Sequence, residues 1–222
     1  MDWIPLLERA TGRFADAAGS GDLEAPVPTC PEWTLADLVQ HLGETHLWAA
    51  HAVEHGTPDG DDRFAGSRDE LVEWYAGTAR RLVTVLAATD PEAPAWTFGL
   101  EMTAEFWRRR QVHETHVHEY DALAAAGRYD SWSIDAEVAW DGVDEVAAVF
   151  YPRQVRLDRI APIDGTLRLT PTDIDRDPLD IGSTNPVAGL TGPSSYLLLA
   201  LWKRVPVDDA PAAGLLRTAI TP

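Results

Sequence analysis

The first 128 residues repeat apolar side chains at the three- and four-residue spacing that is typical of helices buried along one face. The pattern predicts four amphipathic helices, over residues 2 to 18, 35 to 55, 68 to 89 and 104 to 126. Glycine and proline lie between the predicted helices, and both residue types interrupt helical backbone. Helices of this length, joined in series, predict a four-helix bundle in residues 1–128.

Three of these helices have a recognisable start signal. Thr34 can cap the second helix, and Asp37, three residues later, can close a capping box with it. Ser67 and Glu70 have the same relation before the third helix, and Thr103 is a suitable N-cap for the fourth. The sequence therefore predicts where each of these helices begins.

The pattern changes after Gly127, where the predicted elements become shorter. Ser133 can cap a helix that ends near Phe150. Further on, alternating apolar and polar residues predict strands at Val155–Ile160, Leu167–Leu169 and Leu179–Ile181, and Asp164-Gly165 predicts a hairpin turn. An apolar segment that starts at Ser194 or Ser195 and includes Trp202 predicts a final helix. These elements predict a small α/β domain in residues 129–222. The predicted fold class is α+β, a four-helix bundle followed by that domain.

The composition narrows the range of partners. Eighteen basic and 36 acidic residues among 222 give a formal net charge of −18. That charge repels phosphate backbones and anionic lipid, so we expect neither nucleic acid nor a membrane as a partner. No apolar run approaches the length that spans a bilayer, and no basic segment precedes an apolar one near the first residue. A single cysteine, Cys30, excludes an internal disulfide, so we expect a protein of the reducing cytoplasm. We expect the protein to be either a monomer or a homodimer.

Chemistry-bearing side chains are concentrated in residues 111–121, which contain three histidines and three carboxylates. Glu114 and His118 are four residues apart and share one helix face, and Asp121 continues their stripe. His41 is a polar residue on the apolar face of the second helix. A carboxylate and an imidazole one turn apart can bind one metal ion, and three ligands from two helices would leave coordination positions open, as in a catalytic site.

Less specific interpretations remain open for these residues. A histidine-rich helix face is commonly solvated, and a core histidine such as His41 commonly has a hydrogen-bond partner instead of a metal. The H-E-x-x-H motif of zinc proteases is absent, because Val117 occupies its last position. His51 and His55 are also four apart, but they lie near the end of their helix and are expected to be solvated.

Three segments together resemble the motifs of a known family. Residues 30–43, CPEWTLADLVQHLG, are similar to C-P-G-W-T-x-x-D-L-x-x-H-L, and residues 106–121, FWRRRQVHETHVHEYD, to F-W-x-R-R-x-x-H-E-x-x-x-H-x-x-D. Residues 197–204, LLLALWKR, are similar to L-L-x-L-W-x-R. These are motifs of the mycothiol-dependent maleylpyruvate isomerase family, and they occur here in the expected order.

The resemblance implies a DinB-like four-helix bundle followed by a small α/β domain that is similar to sterol-carrier folds. It also implies a divalent metal, usually zinc, held by the residues at the positions of His41, Glu114 and His118. In the family an arginine of the C-terminal helix helps to hold the substrate, and Arg204 occupies that place. The implied partners are a low-molecular-weight thiol, mycothiol, and an electrophilic small molecule.

Three residues depart from the family pattern. Glu32 stands where glycine is usual, His116 where a small residue is usual, and Glu119 where arginine is frequent. The last departure reverses a charge next to a proposed metal ligand. We expect metal binding to tolerate these changes, whereas the thiol and the substrate stay open.

The implied reaction is thiol transfer. A metal-bound thiol loses its proton and adds to an electrophile, and elimination after bond rotation gives a cis–trans isomer, whereas no elimination gives a thiol conjugate. A metal-dependent hydrolase with Asp121 as the base is one alternative. A non-enzymatic metal- or ligand-binding protein, with His116 or Asp121 as a fourth metal ligand, is another.

Two further expectations concern residues outside the proposed ligand set. Cys30 is interpreted as a small buried side chain and not as a nucleophile. We expect most of the side chains of Arg108, Arg109 and Arg110 to be exposed and to form ion pairs with the acidic residues, which are in excess.

Overall fold

The structure, a computed structural model, describes residues 1–60 and 63–222. It divides into two compact units, Met1–Trp132 and Ser133–Pro222, against a predicted domain boundary after residue 128. The additional residues belong to the first unit because Trp132 Nε1 donates a hydrogen bond to the carbonyl oxygen of His116, at 3.0 Å. Within the described residues, no helix is both long and apolar enough to cross a membrane.

The first unit consists of four long helices. They are α1 (Trp3–Gly19), α2 (Leu35–His55), α3 (Leu71–Ala88) and α4 (Ala104–Ala125). Helix α4 packs against α1 and α2, and α3 packs against α2 and α1. The apolar core includes the fully buried side chains of Phe14, Leu38 and Tyr75. The predicted helical first region is confirmed.

The capping boxes explain why α2 and α3 begin where they do. The Thr34 hydroxyl accepts a hydrogen bond from the Asp37 amide, and the Asp37 carboxylate accepts one from the Thr34 amide. Ser67 and Glu70 form the second box, which opens a short 3-10 turn, Arg68–Glu70, before α3. Thr103 precedes α4 in extended backbone but its side chain makes no capping bond. Both capping-box predictions are confirmed.

Helix α4 differs from the other three because polar residues occupy much of its buried surface. The buried polar and charged residues of α4 are Arg110, Gln111, His113, Thr115, His116, His118, Glu119 and Asp121. The solvated interpretation of this helix face is therefore wrong. Burying so many polar groups is unfavourable unless they are paired, which makes the interior around α4 the place to look for a built site.

The second unit combines short helices with a three-stranded sheet. Helix α5 (Ala136–Glu145) continues through a π-helical turn, Val146–Phe150, into α6 (Tyr151–Arg156). The remaining elements are β1 (Thr166–Pro171), β2 (Leu179–Gly182), β3 (Val187–Gly192), α7 (Ser194–Leu201) and α8 (Ala210–Leu216). The sheet order is β2-β1-β3, with β2 antiparallel and β3 parallel to β1. The predicted α+β fold class is confirmed.

The predicted strand at Val155–Ile160 is wrong. Its first residues complete α6, and the chain then turns through Asp158, which has a left-handed φ of 53°. The alternation did not correspond to burial, because Leu157 is 45% exposed. The predicted hairpin turn at Asp164-Gly165 is also wrong, since β1 has its antiparallel partner downstream, in β2. Strand β3 and helix α8 were not predicted.

Candidate metal centre

Helices α2 and α4 bring His41, Glu114 and His118 together. We call these residues the ligand trio. Glu114 Oε1 lies 3.3 Å from His118 Nε2 and 3.5 Å from His41 Nε2. One ligand atom from each residue lies within 4.8 Å of the other two, which is close enough for one metal ion to reach all three. The one-turn spacing of Glu114 and His118 in α4, together with the packing of α4 against α2, produces this geometry.

The ligand trio is buried on one side and open on the other. The His118 side chain is 9% exposed and that of Glu114 15%, whereas the His41 side chain is 39% exposed. The expectation that His41 faces the apolar core is therefore wrong in part, since its ring lies at the edge of the bundle. A ligand can approach the trio from the side of His41.

Arg110 determines how Glu114 presents its carboxylate. The Arg110 side chain is 3% exposed, and its guanidinium donates to Glu114 Oε2 one helical turn away. Oε1 then faces the two imidazoles. Burial alone would raise the pKa of Glu114, but the Arg110 charge, followed by His118, outweighs burial and holds the pKa well below its usual range. Glu114 is thus a carboxylate with one oxygen directed at the metal position.

Asp121 fixes the orientation of the His118 ring, as Arg110 fixes that of the Glu114 carboxylate. The Asp121 carboxylate is fully buried, and its Oδ2 accepts a hydrogen bond from His118 Nδ1 at 2.9 Å. Asp121 Oδ1 accepts from the Thr29 hydroxyl at 2.6 Å, and the Cys30 thiol lies 3.8 Å from Oδ2. This arrangement keeps a proton on Nδ1 and orients Nε2 towards Glu114 and His41.

The electrostatics of His118 follow from the same contacts. Burial lowers the pKa of His118, but the Glu114 charge and the hydrogen bond to Asp121 raise it to about 9 in the metal-free protein. Trp33 covers the two imidazoles, with its ring 4.7 Å from His41 and 6.4 Å from His118. Among the described residues, neither Asp121 nor His116 joins the group that can hold a metal.

Two of the departures from the family pattern form a separate polar cluster. Arg13 Nε lies 3.0 Å from Glu119 Oε1, and Arg13 Nη2 lies 3.2 Å from His116 Nδ1. Burial lowers the pKa of His116, although the neighbouring Glu119 opposes the effect. His116 and Glu119 therefore contact α1, and neither is a metal ligand in this structure.

The expectation of exposed arginines in α4 is wrong for two of the three. Arg110 is buried beside Glu114, and Arg108, 14% exposed in its side chain, donates to the carbonyl oxygens of Leu86 and Thr89 at 2.7 and 2.6 Å. Arg108 thus satisfies carbonyl groups at the end of α3, a role that its position in the sequence did not indicate.

His46 is a buried residue near the ligand trio that the sequence analysis did not single out. Its Nε2 lies 3.2 Å from the Thr115 hydroxyl, which itself donates to the carbonyl oxygen of Gln111. Burial is the main reason why the pKa of His46 is lowered to about 3. His46 is thus a neutral ring between α2 and α4. Its only sequence signal was membership of the histidine-rich stretch from His41 to His55.

Arg204 belongs to the second unit and lies just after α7. Lys203 turns the chain with a left-handed φ of 58°, and the Arg204 amide donates to the Leu199 carbonyl oxygen at 2.8 Å. The guanidinium donates to the Trp202 carbonyl oxygen at 2.8 Å and lies 6.0 Å from the Trp202 ring centre. These contacts fix the side chain at the helix end. The substrate role of Arg204 stays a prediction.

Comparison with known proteins supports the motif resemblance across both units. Residues 5–123 match the family described as the mycothiol maleylpyruvate isomerase N-terminal domain, and residues 137–219 match its MDMPI C-terminal domain. No curated protein and no solved structure matches the chain. The first match alone covers more than half of the 222 residues. The chain belongs to the mycothiol maleylpyruvate isomerase family.

Proposed function

We propose that the protein is a metal-dependent enzyme that adds a low-molecular-weight thiol to an electrophilic small molecule. Mycothiol is the proposed thiol, because the family is named for it. The observation that carries the proposal is the convergence of His41 Nε2, Glu114 Oε1 and His118 Nε2 on one point at the open side of the bundle. Isomerisation and S-transfer are the two outcomes that this chemistry allows.

The residues fit a divalent metal. Two imidazole nitrogens and one carboxylate oxygen are the donor set of catalytic zinc sites, which keep a position open for a ligand. Glu114 is ionised, and His118 has its other nitrogen engaged by Asp121. We therefore propose zinc, held by His41, Glu114 and His118.

A bound zinc ion would lower the pKa of a coordinated thiol, so that the thiolate is present at neutral pH. The chain's own residues prepare the site for that chemistry. Asp121 orients His118, Arg110 orients Glu114, and Trp33 covers the imidazoles on one side. These contacts let the ligand trio keep its geometry while a substrate enters past His41.

The proposed reaction uses the thiolate as a nucleophile. Its sulfur forms a bond to an unsaturated carbon of the electrophile, and the displaced electron pair moves onto the activating carbonyl group. Rotation about the former double bond and loss of the thiolate give the isomer and regenerate the thiol. Protonation without that loss gives the S-conjugate. Arg204 is proposed to hold a substrate carboxylate, as the motif implies.

The two alternative functions have less support. Asp121, the base proposed for a hydrolase, has its carboxylate engaged by His118 and Thr29. A closed binding site would need a fourth ligand, and His116 contacts Arg13 and Glu119 instead.

The proposed function is tested with zinc-loaded protein incubated with small unsaturated acids, with and without mycothiol. We expect isomerisation or conjugate formation only when both zinc and mycothiol are present. Turnover that is the same without mycothiol would contradict the proposal and favour a hydrolase.

A further inference from the structure

A cleft begins at His41, the exposed member of the ligand trio, and follows one face of α2. It has a volume of about 310 Å³ and is lined by His41, Glu44, Thr45, Trp48, Pro58, Gly60 and Arg63. The first four residues recur at three- and four-residue intervals, which places them on the same helix face. Trp48 follows His41 by seven residues, so the cleft extends about 10 Å along α2 from His41. We call it the α2 cleft.

The α2 cleft contains a hydrogen-bond acceptor, the Glu44 carboxylate, that its neighbours hold in place. Glu44 is half-buried, and its Oε1 accepts hydrogen bonds from Gln40 Nε2 at 2.9 Å and from the Phe64 amide at 3.3 Å. Both bonds go to the same oxygen, which leaves Oε2 as an acceptor for a ligand. Thr45 adds a hydroxyl group beside it. A half-buried carboxylate oxygen accepts hydrogen bonds from the hydroxyl groups of a ligand.

The indole ring of Trp48 lines the end of the α2 cleft that is farther from His41. Trp48 Nε1 donates to the Pro58 carbonyl oxygen at 3.0 Å, and its ring packs at 5.0 Å against Trp107 and at 5.4 Å against Trp96. The indole is therefore held in one orientation before a ligand arrives. A rigid aromatic ring provides a large contact area with little loss of conformational entropy.

We propose that the α2 cleft binds the non-reacting body of the thiol, and that this body is rich in hydroxyl groups. Its hydroxyls donate to Glu44 Oε2, and its ring lies against Trp48, while the sulfur reaches the ligand trio. A small electrophile bound at the metal would not extend as far as Trp48. This inference rests on the proposed function, because it assumes that a thiol binds at His41, Glu114 and His118.

The test measures thiol binding to zinc-loaded protein by titration calorimetry. Mycothiol carries a hydroxyl-rich body, and 2-mercaptoethanol presents a thiol without one. We expect Glu44→Gln and Trp48→Leu each to weaken mycothiol binding about tenfold or more, and to change 2-mercaptoethanol binding less than about twofold. Glu54→Gln is the matched control, since Glu54 lies on the same helix but pairs with Arg81 at the surface. It should change neither affinity.

Each result has a definite meaning. If Glu44→Gln leaves mycothiol binding unchanged, or if the wild type binds both thiols equally, the cleft proposal is overturned while thiol binding stands. If the zinc-loaded wild type binds neither thiol, the proposed function fails, and the cleft proposal fails with it. Glu44→Gln keeps the size of the side chain, so it decides the question even if Trp48→Leu disturbs the fold.

Discussion

At the level of single residues, two members of the ligand trio are each paired with a buried polar side chain. Arg110 holds one oxygen of Glu114, and Asp121 holds one nitrogen of His118. Each pair fixes the partner in one orientation and balances charge inside the bundle. The pairs therefore determine both the stability of the interior and its capacity to bind a cation.

Removing Arg110 tests the first pair. Arg110→Met leaves the Glu114 carboxylate buried without its main cation, which costs about 3–5 kcal/mol of unfolding free energy in the metal-free protein. Bound zinc would supply the missing positive charge, so the loss should be smaller in the zinc-loaded protein. Urea unfolding of both forms measures the difference. Arg81→Met, which removes a surface pair with Glu54, should cost less than about 1 kcal/mol. Equal small losses for the two variants would contradict the assignment.

Asp121→Asn tests the second pair. The amide keeps the size of the side chain but no longer provides a carboxylate for His118 Nδ1. We expect zinc affinity to fall about 10- to 100-fold, as for other groups that orient metal ligands. Competition with a chelator measures the affinity. The control Asp180→Asn disturbs an exposed ion pair with Arg168 and should leave zinc binding unchanged. Unchanged zinc affinity in Asp121→Asn would show that this contact does not support the site.

His46 predicts a pH dependence of stability. Its pKa is about 3 in the folded protein and near 6.5 when unfolded, so the unfolded state binds more protons between these values. The free energy of unfolding therefore decreases as the pH falls from 6.5 towards 3, because the buried ring of the folded protein stays neutral while the unfolded one is protonated. Between pH 7 and pH 5, metal-free wild type should lose about 2 kcal/mol more than His46→Gln. The comparison with the variant removes the contributions that the two proteins share. Equal losses in urea unfolding would contradict the buried neutral ring.

At the level of elements, helix α2, which carries His41, packs closely against α3. Gly43 lies two residues after His41, and a Cβ atom added there would lie 2.3 Å from the Trp74 ring. Glycine is thus required for the packing of the helix that carries His41.

The substitution Gly43→Ala tests this packing. Alanine favours a helix interior by about 1 kcal/mol over glycine, but overpacking against Trp74 costs about 1–3 kcal/mol, so we expect net destabilisation. Gly77→Ala in α3 is the matched control, because its nearest neighbour would be the end of the Arg80 side chain at 3.9 Å. That variant should gain up to about 1 kcal/mol. The melting temperatures of both variants measure the effects, and a more stable Gly43→Ala would contradict the packing argument.

The elements that the sequence predicted well are those with redundant signals. Helix α2 combined a capping box, an apolar stripe and a terminal glycine, and both of its ends were predicted correctly. The strand predicted at Val155–Ile160 rested on alternation over six residues, which a helix end and a turn can also produce. Strand β3 was missed because its buried positions are Ala188, Leu190 and Gly192, which give little hydrophobic contrast.

The same reasoning applies to the candidate site. Glu114 and His118 could be predicted from their spacing on α4, and His41 from its place on the apolar face of α2, and the family motifs selected the same three residues. The contacts of Arg110 and Asp121 could not, because sequence spacing does not show which side of α4 is buried. The degree to which His41 is exposed also depends on tertiary packing alone.

For the whole molecule, each of the two units matches one domain of the same family. The ligand trio belongs to the first unit, and Arg204 belongs to the second. The net charge of −18 gives a divalent cation a favourable overall field around the protein.

The most direct test is the zinc content of protein that has been loaded with zinc and desalted, measured by elemental analysis. The wild type should retain about one ion per chain, and His118→Ala should lose it while keeping the circular dichroism of a helical protein. The double variant His51→Gln, His55→Gln removes two histidines of α2 that lie outside the ligand trio and whose rings are 4.5 Å apart. This variant should retain the ion. Full zinc retention by His118→Ala, or loss of zinc from the double variant, would contradict the assignment of the metal to His41, Glu114 and His118.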